Sequence, residues 1–360
     1  MGAITDDAFS FSYTQPLLRG AGVDRGTSFA RESDLVYLQQ VERRREVMQQ
    51  LLRQTSDAYW DLVQSLQQFG VAESSLELGR EQLQRNQRLL DAGVGTEVEV
   101  IQAEAEVARR EETRLAADVT RRVAGDSLKA LLFPGKQPVS WSTVLEPTTP
   151  LPDDVSVDRL EDWTEILERA LRLRPELRQQ QLRIQIAELR HERAISDRRL
   201  GVDWDSSLSS AGRDEGFVDA KENVLDFSTV SWDVGLTLNA PIGNRTRRYA
   251  ENAARAEVRA ARITMEQLET QVVSEVREAV RQLHYQSLAV RAAGVSRKAA
   301  ERQLEAEEAR YENDLTTNFQ VLEFQLRLVE AMNNEQTARS NFAKAGQQLQ
   351  AAQGTLGERP

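Results

Sequence analysis

The chain has 360 residues, a formal net charge of −11, no cysteine and 6% aromatic residues, whereas 29% of its residues are charged. The lack of cysteine excludes disulfides, thiolate metal ligands and cysteine nucleophiles. The acidic net charge argues against a nucleic-acid partner, because phosphate binding depends on accumulated Lys and Arg. Abundant Gln, Glu, Arg, Ala and Leu are typical of long helices and coiled coils.

The first predicted element is a strand, because Phe9, Phe11 and Tyr13 alternate with small polar residues before Pro16. A helical pattern then continues from about Thr27 to Leu90. Roughly 65 residues at 1.5 Å each predict a helix on the order of 100 Å long. Its apolar residues follow a 3–4 spacing that predicts a coiled-coil seam: Met48, Leu52, Tyr59, Leu62, Leu66, Phe69, Leu76, Leu83 and Leu90.

A turn interrupts this helix at Gly93 and Gly95, and Thr96 with Glu99 forms a capping-box pattern that starts the next helix. That helix is predicted to reach Leu132. The following segment, 133–162, is an irregular linker because it concentrates prolines. These are Pro134, Pro138, Pro147, Pro150 and Pro152.

The second half begins with a short helix over 163–173 and a helix from Arg174 to about Arg199. A β-hairpin over 202–240 follows, with a polar loop over 211–228. Strands of about ten residues with one apolar and one polar face are typical of transmembrane β-barrels, although a soluble hairpin on a core is the alternative. A long helix over 245–312, a second turn and a last helix complete the prediction.

The two halves align as an internal repeat. Pro16 falls on Pro241, and the turn at 93–102 falls on 314–323 with an offset of 221. We therefore predict a first repeat over 1–132, a proline-rich linker over 133–173 and a second repeat over 174–360. The expected fold class is mainly α with a small β part, built from long antiparallel coiled-coil hairpins.

Several segments resemble the TolC-like outer-membrane efflux proteins: YTQPLLRGAG, RPEL, WDVGLTLNAPIGNRTRR and the two turns. The resemblance implies a homotrimer in the outer membrane of a Gram-negative-type bacterium, with strands in one shared transmembrane β-barrel and helices in a periplasmic tunnel. It implies an exit duct of a tripartite efflux or type I secretion system, working with a periplasmic adaptor protein and an inner-membrane pump. It implies neither an enzyme nor a cofactor.

The family has four strands per subunit, and a helix precedes each strand pair. Because the first half shows one strand and no such helix, we expect an N-terminally truncated version. The resemblance also implies a periplasmic gate at Tyr311, Glu323 and Glu99, although Thr316 and Gln320 depart from the family's gate pattern.

Two further sets of residues follow from the same resemblance. The expected adaptor-docking turns comprise Gly93, Val94, Gly95, Thr96, Leu315, Thr316 and Thr317. The expected lipid-facing strand residues are Phe9, Phe11, Tyr13, Val230, Trp232, Val234, Leu236 and Leu238.

Other kinds of site have little support in the sequence. GAGVDRG (20–26) resembles a dinucleotide fingerprint, but no parallel strand follows within the required distance. His191 and His284 lie on different predicted helices without companions at ligand spacing, so no metal site is expected. The alternative to a channel is a coiled-coil structural or adaptor protein of the cell envelope.

Overall fold

The helices and strands of the chain follow the predicted order. A computed structural model describes residues 5–133, 135, 141–152, 162–214, 230–313 and 315–357. The fold is mainly α-helical with a small β part, which confirms the predicted class. Its elements are β1 (Thr5–Pro16), α1 (Val23–Asp91), α2 (Glu97–Leu132), α3 (Trp163–Leu173), α4 (Pro175–Arg198), β2 (Gly201–Asp214), β3 (Val230–Asn239), α5 (Arg245–Glu312) and α6 (Asn318–Gln353).

Two element boundaries differ from the prediction by several residues. Helix α1 begins four residues before Thr27, at Val23. Strand β2 continues to Asp214, because the start of β1 pairs with its far end in the register Thr5↔Asp214. The predicted polar loop therefore begins inside a strand. Its remaining residues, from 215 onward, and Asp314 of the second turn lie outside the described residues.

The chain divides into two compact units. The first comprises Met1–Arg43 and Glu176–Leu268, and the second comprises Arg44–Pro175 and Glu269–Pro360. Helices α1 and α5 each contribute residues to both units.

The first unit contains an antiparallel sheet in the order β1-β2-β3. Directly opposed residues in such a sheet point to the same face. The pairs Phe11↔Leu208 and Leu208↔Trp232 therefore form one apolar row across all three strands. The strand alternation predicted from the sequence is thus brought into register on a single face. Beside the sheet, α4 contacts α5, where Gln180 Nε2 donates to the Ala261 carbonyl at 2.7 Å.

The second unit is built from antiparallel helices. Helix α1 contacts α6 in a constant register, because Gln82 bonds Asn318 while the Ser340 hydroxyl donates to the Trp60 carbonyl. Helix α1 also contacts α2, where Arg80 pairs with Glu111 at 3.0 Å.

The buried seam of α1 differs from the apolar one that we predicted. Leu62 and Leu76 are buried, but Met48, Leu52 and Leu90 are at least 36% exposed. A second heptad series of small and polar residues is buried beside them: Ser65, Ala72, Ser75, Gly79, Gln82 and Asn86. Small side chains let helix backbones approach closely, so this stripe faces the neighbouring helices. A search for apolar spacing alone does not detect it.

Among the described residues, none of the helices contains an uncharged apolar stretch of the length that a bilayer-spanning helix requires.

Candidate functional sites at the helix turns and on the sheet

The turn between α1 and α2 depends on two glycines. Gly93 adopts φ +74, a left-handed conformation that L-residues rarely adopt. A Cβ on Gly95 would lie 2.9 Å from the Leu90 nitrogen, so the backbone leaves no room for a side chain. The backbone N–H groups of Val94 and Gly95 both donate to the Leu89 carbonyl, which closes the end of α1.

Helix α2 starts with the predicted capping box. The Glu99 backbone N–H donates to Thr96 Oγ1 at 3.3 Å, and the Thr96 N–H donates to Glu99 Oε2 at 3.0 Å. Glu99, predicted as a gate residue, therefore has a local role in the helix start. Its carboxylate is half-buried, and it also accepts from the Thr96 hydroxyl at 3.0 Å.

The turn between α5 and α6 repeats the first turn's backbone geometry at the predicted offset. Leu315 N–H donates to the Arg310 carbonyl at 2.9 Å, as Val94 N–H donates to the Leu89 carbonyl at 3.0 Å. The caps differ, because Thr317 accepts no side-chain cap bond. Gln320 occupies the position that Glu99 has in the first turn, which removes the carboxylate half of a capping box.

Thr316, which departs from the family's gate pattern, has a different partner. Its hydroxyl donates to the carboxylate of Glu307, a side chain that is only 9% exposed. Arg310 also pairs with Glu307 at 3.2 Å. Nothing in the sequence distinguishes Glu307, since it is one of many glutamates on α5. Its burial identifies it as the residue that attaches the second turn to its helix.

The remaining predicted gate residues lie on the two helices that flank the second turn. Tyr311 is half-buried in the last turn of α5. Glu323, on α6, pairs with Arg327 at 2.5 Å, one helical turn further along. Among the described residues, the carboxylates of Glu99 and Glu323 contact groups of their own helix ends, so the structure does not bring these two carboxylates to a shared partner.

The predicted docking turns expose apolar side chains. Val94 is 75% exposed and Leu315 is 67% exposed. Just beyond them, Val98, Ile101 and Phe319 are also exposed. Apolar side chains clustered in solvent at equivalent turns are typical of an interaction surface.

A chain of buried amide side chains joins the two turns. Asn86 Nδ2 donates to the Glu99 carbonyl at 3.1 Å, Gln82 Nε2 donates to Asn86 Oδ1 at 3.1 Å, and the same amide donates to Asn318 Oδ1 at 2.7 Å. Asn318 and Asn86 are 1% and 2% exposed. Because buried amides need partners with fixed geometry, these hydrogen-bonded amide side chains set the register of α1, α2 and α6 at the turns.

One heptad further from the turns, Arg110 forms a second buried polar layer. It is 4% exposed and donates to Glu106 Oε1 at 2.8 Å, the Ser75 carbonyl at 2.8 Å and Gln325 Oε1 at 2.9 Å. Its side chain also lies against Gly79, where a Cβ would come within 3.0 Å of Arg110 Cδ. Sequence reasoning missed both layers, although polar residues repeating at heptad spacing were a detectable signal.

The predicted lipid-facing residues occupy one exposed face of the sheet. The strand register aligns Phe9 with Val230 through Ser210, and Tyr13 with Val234 through Ser206. Their exposed fractions range from 42% for Val230 to 74% for Trp232. The complete set is Phe9, Phe11, Tyr13, Val230, Trp232, Val234, Leu236 and Leu238.

The opposite face of the sheet is polar, and Asp205 lies on it at the middle strand. The hydroxyl of Thr14 donates to one carboxylate oxygen at 2.9 Å, and that of Thr237 donates to the other at 2.7 Å. One acidic side chain is thus held from both neighbouring strands. Among the described residues, no group of three or more acidic or histidine side chains has an arrangement that could hold a metal ion.

Comparisons with known proteins agree with this architecture. Residues 166–355 match the family model of outer membrane efflux proteins. The outer-membrane channel OprN superimposes with a TM-score of 0.80 at 18% identity, covering 99% of this chain and 82% of that one. VceC from Vibrio cholerae gives a TM-score of 0.76 at 14% identity, covering 97% and 87%. The open-state MtrE channel from Neisseria gonorrhoeae gives 0.75 at 16% identity, covering 99% and 81%.

Identities this low show a common fold, and no curated sequence matches the chain. The family model nevertheless covers more than half of the 360 residues. The resemblance noted in the sequence is therefore confirmed, and the chain belongs to the outer membrane efflux protein family, with the TolC-like fold of its channels.

Proposed function

We propose that the chain is one subunit of an outer-membrane exit duct in a tripartite efflux or type I secretion system, where it passes cargo without catalysing a reaction. The observation that carries the proposal is the sheet, whose apolar side chains lie in register on one exposed face. An exposed apolar face of this kind favours contact with lipid, while the polar face with Asp205 lines an aqueous interior.

Assembly as a homotrimer follows from the edges of the sheet. In the order β1-β2-β3, the outer edges of β1 and β3 have no strand partner among the described residues. Unpaired backbone groups are too costly in a bilayer, so we propose that other copies of the chain contribute to closing the sheet. Three copies in one shared barrel satisfy this requirement, as the family resemblance implies.

An acidic interior favours cations over anions. Asp203, Asp205 and Asp233 alternate with the apolar residues and therefore lie on the polar face of the sheet. Asp205 is held in place by two hydroxyl groups, which fixes its carboxylate at one height along the strands.

The two turns are proposed to dock a periplasmic adaptor protein, which in turn links the duct to an inner-membrane pump. Support comes from the exposed Val94 and Leu315 at turns with the same backbone geometry. We propose that Tyr311 and Glu323, beside the second turn, close the duct through contacts with neighbouring subunits, and that Glu99 contributes its capped helix end to the same closure.

Planar-bilayer recording of the purified protein tests the duct. We expect a trimer by mass measurement in detergent and a pore that prefers cations, with Asp205→Asn reducing that preference. A pore that prefers anions would contradict the assignment of the lining. A monomer that stays soluble without detergent and forms no pore would instead support a coiled-coil structural protein.

The gate is tested by the double variant Tyr311→Phe and Glu323→Gln. If these side chains hold the duct closed, the variant conducts more than the wild type in the same bilayer. Glu330→Gln is the matched control, because Glu330 is exposed on the same helix as Glu323. Equal conductance in all three proteins would overturn the gate assignment.

A further inference from the structure

A cavity in the first unit is lined by a concentration of arginine side chains. It has a volume of about 590 Å³, and its walls include Arg19, Arg25, Arg193, Arg247 and Phe29. Arg190 lines it as well, and the acidic group on its wall is Asp197. A cavity of this size accommodates a small ligand or a lipid headgroup.

The carboxylates around the cavity do not balance these charges. Asp197 pairs with Arg25 at 2.8 Å. Glu32 pairs with both Arg190 and Arg193. Arg190 also pairs with Glu257 at 3.4 Å. Five guanidinium groups on the walls against these three carboxylates still leave a surplus of positive charge. An anion is the ligand that such a surplus attracts.

Three of the arginines also have a buried N–H donor for which the described residues supply no hydrogen-bond acceptor. Nε of Arg25, Nη1 of Arg193 and Nη1 of Arg247 are buried and have no hydrogen-bond partner among the described residues. A buried donor without an acceptor destabilises the fold, because it has lost its hydrogen bonds to water without replacement. Three such donors around one cavity indicate a ligand with several oxygen acceptors.

The aromatic wall gives the cavity an apolar side. The guanidinium carbon of Arg193 lies 4.5 Å from the centre of the Phe29 ring, and that of Arg25 lies 5.7 Å from it. Phe29 itself is 64% exposed, and Ala194 and Ala250 line the cavity nearby. The ligand therefore meets both charged groups and apolar surface in the cavity.

The cavity lies at one end of the strands of the sheet. The register Gly201↔Asn239 and Pro16↔Asp203 places the end of β1, the start of β2 and the end of β3 together at this end. Arg19 follows β1 directly, and its guanidinium covers the Gly201 backbone, where a Cβ would lie 3.3 Å from Arg19 Cζ. The cavity's arginines thus come from the segment after β1 and from helices α1, α4 and α5.

We propose that this arginine cavity binds a phosphate group, and that the phosphate belongs to the headgroup of a membrane phospholipid. Planar guanidinium groups match phosphate oxygens in pairs, and the apolar wall suits the start of an acyl chain. The assignment of the phosphate to a lipid rests on the proposed function, because strands that span a bilayer place this end of the sheet at the bilayer surface. The phosphate chemistry rests on the cavity alone.

The test uses the full chain in non-ionic detergent. Native mass spectrometry counts bound lipid during titration with phosphatidylglycerol and, in a second arm, with an uncharged diacyl glycolipid. A third arm measures the thermal shift in sodium phosphate against sodium chloride at equal ionic strength. We expect phosphatidylglycerol to bind and the glycolipid not to bind. A thermal shift in the third arm would show that free phosphate also occupies the site.

The main variant is Arg247→Gln, because Arg247 forms no ion pair with the described residues that the substitution would break. We expect it to bind phosphatidylglycerol about tenfold more weakly, the loss of one charge-assisted contact. Arg193→Gln is a second variant with the same expectation. Arg262→Gln is the control, since Arg262 lies on the same helix but is 61% exposed and pairs outside the cavity with Glu188.

Equal binding by wild type and a folded Arg247→Gln protein would overturn the proposal, and so would equal binding of the uncharged glycolipid. Circular dichroism verifies that the variant is folded. These outcomes are independent of the pore, because a protein that conducts no ions can still bind the phosphate, and a conducting pore can lack the site.

Discussion

Asn318 Oδ1 accepts a hydrogen bond of 2.7 Å from Gln82 Nε2, although 236 positions separate the two residues in the chain. Asn318 is the first residue of α6, and Gln82 lies on α1 near the first turn. The bond therefore joins the start of one hairpin arm to the end of another. Both side chains are buried, so water cannot replace a lost partner easily.

Replacing Asn318 should destabilise the helices at the turns. We expect Asn318→Leu to lower the free energy of unfolding by about 1–3 kcal/mol, because Gln82 loses an acceptor in a buried site. Thermal or denaturant unfolding of the detergent-solubilised protein measures the change. Gln320→Ala is the control, as this side chain is exposed two residues away. A loss as large in the control would contradict the role of the amide chain.

Replacing Arg110 should lower the free energy of unfolding by more than replacing Asn318 does. In Arg110→Met, the buried Glu106 keeps only Arg109, at 2.5 Å, while Gln325 and the Ser75 carbonyl lose their donor. Breaking a buried pair from one side costs about 3–5 kcal/mol. The matched variant Arg80→Gln breaks an exposed pair and should cost less than about 1 kcal/mol. Similar unfolding midpoints for the two variants would refute this ranking.

Two glycines on α1 and its turn should respond to alanine in opposite directions. Gly95→Ala places a Cβ about 2.9 Å from the Leu90 nitrogen, which the turn must distort to accept, so stability falls. Gly70→Ala meets nothing within 4 Å on an exposed helical surface and should stabilise by about 0.5–1 kcal/mol. Chemical denaturation of both variants decides the sign of each effect.

The stability of the first unit should depend on pH through Glu32. Burial by itself raises the pKa of Glu32, but hydrogen bonds and charge from Arg190 and Arg193 outweigh it and hold the pKa below its ordinary value of 4.5. Charged Glu32 therefore stabilises the fold above pH 4.5, and this contribution is lost as the pH falls through the lowered pKa.

Glu32→Gln should remove that contribution, so the difference in the free energy of unfolding between the variant and the wild type is large at pH 7 and shrinks in acid.

Asp57 in the second unit is the opposite case, because burial raises its pKa despite the charges of Arg53 and Lys344. Asp57→Asn should stabilise the protein at pH 7, and the gain should disappear as the pH falls below the raised pKa. Unfolding curves at several pH values check both signs.

The two faces of the sheet should tolerate charge differently. Trp232→Arg puts a charge on the apolar face, where it costs about 2–4 kcal/mol if the residue lies near the middle of a bilayer. Ser231→Arg puts the same charge on the polar face and should cost little. Folding into liposomes, followed by the heat-dependent shift in gel mobility, compares the two. Equal behaviour would argue against lipid contact by the apolar face.

Much of the fold could be predicted because its signals are local. The alternation of Trp232 with its neighbours and the turn glycines each specify a backbone conformation within a few residues. The predicted repeat extended this to the second turn, where Leu315 forms the same backbone hydrogen bond as Val94. Strand and helix identities therefore followed from short-range pattern alone.

The buried polar layers could not be predicted in the same way. Arg110 and Glu307 look like any charged residue of a solvated helix face until the neighbouring helices are in place. Their burial depends on which stripe of α1 faces α2 and α6, and small residues such as Gly79 make that stripe inconspicuous. Apolar periodicity correctly identified Leu62 and Leu76 as buried. It also predicted Leu90 to lie in the buried seam, whereas Leu90 is 36% exposed.

The constant register between α1 and α6 limits how the length of these helices can change. From the pair Gln82–Asn318 to the pair Trp60–Ser340, the residue number on α1 falls by 22 while the residue number on α6 rises by 22. A deletion from α1 in this stretch must therefore be matched by an equal deletion from α6, or every contact beyond it is mispaired. Matched steps of seven residues, about 10 Å each, preserve both the pairing and the buried face. Relatives of different length should differ here by paired insertions and deletions.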